Sequence, residues 1–123
     1  MFKEEKEESY FYMFQNYLGR TCYGKTDDPT KRLKDYIGHN GDTNTRFKLL
    51  LCGSKSDISD LEKDFKYFLD EQDCAVYSIS GHQIEWVHEK IMYDNLIKVI
   101  LEWLEIDFKG ISIISEHTTL LST

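Results

Sequence analysis

The stretch Cys22-Tyr23-Gly24-Lys25-Thr26-Asp27-Asp28-Pro29-Thr30-Lys31-Arg32-Leu33 constrains this chain more than any other. A short β-prone run meets a glycine. Asp28 followed by Pro29 then has the pattern of a helix cap and a first helical residue, because proline lacks an N–H that the first turn leaves unused anyway. The segment predicts strand, turn and helix in that order. Arg32 falls in the first turn of the helix, where free backbone N–H groups favour an anion and a cation gains nothing. A guanidinium there implies something negative outside the helix, and phosphate suits its forked donors best.

The flanking sequence extends this unit. Tyr10-Phe11-Tyr12-Met13-Phe14 is β-prone and Tyr17-Leu18-Gly19 turns it, so residues 20–25 return as the second strand of a hairpin. The first helix is expected over 29–37, burying Leu33 and Ile37 and ending at Gly38. After the polar loop 39–44, residues 46–52 read as a third strand, and Ser56 or Asp57 as the cap of a second helix reaching about Glu71. Residues 74–79 read as a fourth strand or an extended arm. Ile91, Met92, Leu96, Val99, Ile100, Trp103 and Leu104 recur at helical spacing and predict an amphipathic helix over 85–106, with a short strand at 111–114 after it. This order predicts an α/β domain, a small and mostly antiparallel sheet of three to four strands flanked by helices, with an added C-terminal helix. Residues 1–8 form a charged lead, 9–80 the core, and 81–123 a helix and tail of the same single domain.

At 123 residues and 41% hydrophobic, the chain is long and apolar enough to bury a core without staples. No apolar run of 18 residues is present, so a membrane span is not expected. The lead Met1-Phe2-Lys3-Glu4-Glu5-Lys6-Glu7-Glu8 is unlike a signal peptide. Cys22, Cys52 and Cys74 are odd in number and widely spaced, which reads as buried thiols in a reducing compartment and predicts a cytoplasmic protein. A formal net charge of −7 argues against a general nucleic-acid binder. The charge is uneven, however. Residues 18–48 hold seven cations (Arg20, Lys25, Lys31, Arg32, Lys34, Arg46, Lys48) against four acids, a local +3 that leaves −10 for the rest. A weakly basic patch on an acidic body is compatible with a phosphate ligand bound with salt-sensitive affinity.

The second helix contains the other informative residue. Ile58, Leu61, Phe65, Phe68 and Leu69 form its apolar stripe, and Glu62 sits inside that stripe. A carboxylate facing a packed layer is costly unless paired or bound to a cation. Glu62 is therefore either a salt-bridge partner, with Arg32 as one candidate, or a metal ligand at the edge of the sheet.

The pattern resembles the GIY-YIG nuclease superfamily, whose domains are a three-stranded sheet flanked by helices. Gly24 to Arg32 spans the family's interval of eight residues. Gly24-Lys25-Thr26-Asp27-Asp28-Pro29-Thr30-Lys31-Arg32-Leu33 is similar to its G-K-T-x-x-P-x-x-R-L form, and Leu61-Glu62-Lys63 to its L-E motif. Gly81-His82-Gln83-Ile84-Glu85-Trp86-Val87 resembles the G-x-x-x-E-W-F of a branch common in phages and large viruses. Two departures stand out. Tyr10-Phe11-Tyr12 replaces G-I-Y and keeps only the tyrosine, and Cys22-Tyr23-Gly24 replaces Y-I-G, losing the second tyrosine unless Tyr23 serves through a register change.

The resemblance implies phosphodiester hydrolysis of DNA by a phage or viral endonuclease, acting in the host cytoplasm. Mg²⁺ or Mn²⁺ on Glu62 stabilises the leaving oxygen. Arg32 binds the scissile phosphate, Tyr12 orients or deprotonates the attacking water, and Tyr36, one turn after Arg32, helps to position it. Lys25, Lys31, Lys34 and Arg46 are the implied backbone-phosphate contacts, with Tyr10, Tyr23 and His39 as secondary candidates. Plainer readings stand beside these. Tyr12 is a core aromatic, Arg32 pairs with Asp28 or Asp35 on the helix surface, Glu62 is a structural ion pair, Lys25 is a solvated strand-end lysine, and His82 and His88 are surface histidines. The stripe from Trp86 to Trp103 is core packing or a dimer seam. The rival function is a catalytically inactive module of the same build that binds nucleic acid or protein, or an acidic host-takeover or anti-defence protein that occupies a host partner.

Overall fold

A computed structural model describes residues 8–15, 21–40, 47–88 and 93–116. Strands β1 (Glu8–Gln15), β2 (Thr21–Thr26), β3 (Phe47–Ser54), β4 (Ala75–Tyr77), β5 (Gln83–Val87) and β6 (Ser112–Glu116) alternate with helices α1 (Pro29–Asn40), α2 (Lys55–Glu71) and α3 (Tyr93–Ile106). The strands form one antiparallel sheet in the order β4-β5-β2-β1-β3-β6. The α/β class is as expected, but the sheet has six strands rather than three or four. Of the additional strands, β5 comes from the segment expected to open the C-terminal helix, while β6 answers to the short strand expected at 111–114 and pairs with β3 at one edge of the sheet. Residues 83–87 pair with β2 and β4 instead of opening a helix.

Strand β1 is central, and its near-continuous apolar run follows from burial on both faces. Phe11 and Met13 point to one side, where they join Tyr23, Leu49 and Leu51 beneath α2 and α3. Tyr12 and Phe14 point to the other, where they join Cys22 with Leu33 of α1, Leu50 and Trp86 packed against them. The larger core takes Ile58, Leu61, Phe65 and Leu69 from α2 and Leu96, Ile97, Ile100 and Leu104 from α3. Their spacing puts one apolar stripe per helix against the sheet. The sheet thus separates α1, on one face, from α2 and α3 on the other.

Local signals fix the helix starts. Asp28 accepts a hydrogen bond from the Lys31 N–H at 3.1 Å, the expected cap. Helix α1 continues past the expected stop at Gly38, which a helix tolerates at a cost of about 1 kcal/mol relative to alanine. Helix α2 is capped by Ser54, whose hydroxyl accepts from the Asp57 N–H at 3.1 Å, rather than by Ser56 or Asp57. Strand β3 runs straight into α2, so the cap is the last residue of the strand. Cys22 and Cys74 are buried, Cys52 is half-buried, and all three are free thiols. Among the described residues, no helix is long and apolar enough to cross a membrane.

Candidate functional site

The register of the hairpin brings Tyr12 opposite Gly24 and Phe14 opposite Cys22. Gly24 carries no side chain beside Tyr12, and α1 crosses that face. The first turn of α1 then sets the Arg32 guanidinium 6.0 Å from the centre of the Tyr12 ring, within cation–π range. Tyr12 is 2% exposed and stacks on Phe14, with ring centroids 5.4 Å apart. Arg32 itself is exposed, and among the described residues it makes no ion pair. Its pairing with Asp28 or Asp35 is not found. Asp28 is engaged with the Lys31 N–H, and Asp35 pairs with Lys31 at 3.3 Å.

Glu62 lies elsewhere. It is buried on α2, on the far face of the sheet from Arg32 and Tyr12. Its nearest cation is Lys25, with Nζ 4.0 Å from Oε1, and Lys25 also donates to Ser59 Oγ at 2.9 Å. Glu62 Oε2 is buried and, among the described residues, has no hydrogen-bond partner. The expected convergence of the guanidinium and the carboxylate is therefore not what the fold builds. Lys25 alternates with Gly24 along β2, so its side chain emerges on the opposite face and serves α2 rather than the α1 side. The orphaned Oε2 could accept from a cation, but Lys25 stands beside it and Arg32 is across the sheet. These residues do not fit an ion shared by Glu62 and a phosphate on Arg32.

The other expected residues divide by face. Tyr23 is fully buried between Phe11 and Phe65 in the larger core, away from Arg32. Tyr10 pairs across the strands with Cys52. The adjacent thiol holds its phenol above the usual range, and burial followed by the Glu8 carboxylate pushes the Cys52 thiol up. Neither group is suited to give up a proton near neutrality. Lys31 and Lys34 are exposed on α1, Lys31 with its charge spent on Asp35. Arg46 lies outside the described residues, as do the side chains of Tyr36 and His39, whose backbone belongs to α1.

A groove of about 560 Å³ opens beside Arg32 and is lined by Tyr12, Phe14, Cys22, Lys66, Gln83, Ile84 and Trp86. Arg32 and Lys66 come from helices on opposite faces of the sheet yet reach the same opening. The opening lies where β2 and β5 share the register pair Cys22–Trp86. Gln83 ties the two sides together, its Nε2 donating to the Lys66 carbonyl at 3.1 Å. Among the described residues no acidic side chain lines the groove. No local signal in the sequence marks Lys66, a half-buried lysine beside the apolar stripe of α2. In the sequence Gln83 stands out only as a member of the Gly81–Val87 motif, and Trp86 also as the start of the Trp86–Trp103 stripe. Compared with family models, curated proteins and solved structures, the chain matches none of them.

Proposed function

We propose that this chain is a nucleic-acid-binding module of GIY-YIG-like build that takes phosphate at the Arg32 groove and does not cut through Glu62. The observation that carries this reading is the exposed guanidinium over Tyr12, which has no carboxylate partner among the described residues and shares its groove with a second cation, Lys66. Arg32 holds a phosphate through its forked donors and Lys66 adds a point charge. The motif spacing from Gly24 to Arg32 and the antiparallel sheet between helices support the family resemblance, and the free thiols suit an intracellular setting.

The second reading is a divalent-metal-dependent DNA endonuclease of the same build. Glu62 favours it, as a buried carboxylate with one oxygen lacking a donor. The two readings separate in one assay. Plasmid is incubated with the protein and Mg²⁺ beside Arg32→Ala and Glu62→Gln, and both retention and nicking are scored. Retention without nicking, lost in Arg32→Ala and kept in Glu62→Gln, is the expected result. Nicking that vanishes in both variants establishes the nuclease instead.

A further inference from the structure

Resting on the nucleic-acid reading, we infer that the Arg32–Lys66 groove takes an unpaired nucleotide of single-stranded DNA rather than the edge of a duplex. Three observations carry this. The groove is a concavity of about 560 Å³ with an aromatic floor, Tyr12 and Phe14, and half-buried walls, Trp86 and Ile84. Such a shape admits one base with its sugar, whereas a duplex keeps its bases inside the stack, beyond the reach of a recessed aromatic. Arg32 and Lys66 both line that surface, and among its described lining residues there is no acid, as a strand needs when a base lies on an aromatic and its phosphates run to either side. Finally, a chain of net charge −7 repels a long, densely charged duplex more than a short single strand crossing one groove.

The division of labour follows from chemistry. Trp86 offers the stacking surface. Arg32 and Lys66, from the two faces of the sheet, hold the phosphates on either side of the stacked base. Gln83 keeps α2 and β5 together beneath them, its amide donor committed to Lys66. With two phosphates neutralised, the slope of log affinity against log salt is about −1.4.

The test is fluorescence anisotropy with a short labelled oligothymidylate and a hairpin duplex of equal length, using the intact chain. The single strand is expected to bind at least about tenfold more tightly than the duplex. Arg32→Gln and Lys66→Gln should each weaken it by about fivefold to tenfold and make the salt slope shallower. Lys55→Gln, outside the groove and paired with Asp27 at 3.3 Å, serves as the control and should bind like the parent. Equal or tighter binding of the duplex overturns the inference and leaves nucleic-acid binding standing. Binding that is unmoved in both glutamine variants overturns the location. Binding of neither probe overturns this inference together with the reading on which it rests.

Discussion

Glu62 brings a charge into a packed layer with one cation at 4.0 Å and one oxygen without a donor. A half-satisfied buried carboxylate is a poor source of stability, and an apolar side chain of similar volume in its place is often neutral or favourable. Glu62→Met is therefore expected to raise the urea midpoint, with a gain of about 1–2 kcal/mol, and to leave oligonucleotide affinity unchanged. A loss of stability would mean that the carboxylate has a partner beyond Lys25. Asp28 gives a second residue-scale expectation. It caps α1 through Lys31 and places a negative charge at the helix end that carries Arg32. Asn caps equally well, so Asp28→Asn keeps the helix while removing the acid, and affinity for an anionic strand should rise about twofold at low salt. An unchanged dissociation constant would place the strand away from this end of α1.

At the scale of elements, Gly53 of β3 lies close against Ile111 in the segment that follows α3. A Cβ added at Gly53 would stand 2.9 Å from Ile111 Cγ1 and 3.5 Å from its backbone Cα, and neither atom is the free end of a flexible chain. Gly53→Ala is expected to destabilise by about 1–3 kcal/mol, measured as a lower Tm with the groove's affinity unaffected at temperatures where the protein stays folded. The elements also divide by how legible they were. The hairpin, the start of α1 and the stripe of α2 agree with expectation because each depends on local pattern, such as the Asp28-Pro29 cap or the Ile58–Leu69 spacing. The cap of α2 lies two or three residues before the expected one because no loop separates β3 from α2. Strand β5 was lost because Trp86 falls in phase with the helical stripe that follows it, while its true partner, Cys22, is remote in the chain.

For the whole molecule, the sheet is a partition. One side holds the deep core under α2 and α3, and the other holds a thinner layer under α1 where Arg32 meets Tyr12. In the sequence only the family resemblance links Tyr12 with Arg32; strand register and first-turn position then bring the two together. The face that α2 would cover was not legible. That choice is made by how β3 returns beside β1, and it sends Glu62 to the side away from Arg32. Lys66 joins the groove for the same tertiary reason. The most direct measurement is therefore an amide and indole chemical-shift map recorded while a short single strand is titrated in. Shifts are expected to centre on Arg32, Lys66, Gln83 and the Trp86 indole, with Lys25, Ser59 and Glu62 quiet. Shifts centred on Lys25, Ser59 and Glu62, with Arg32 unmoved, would contradict it.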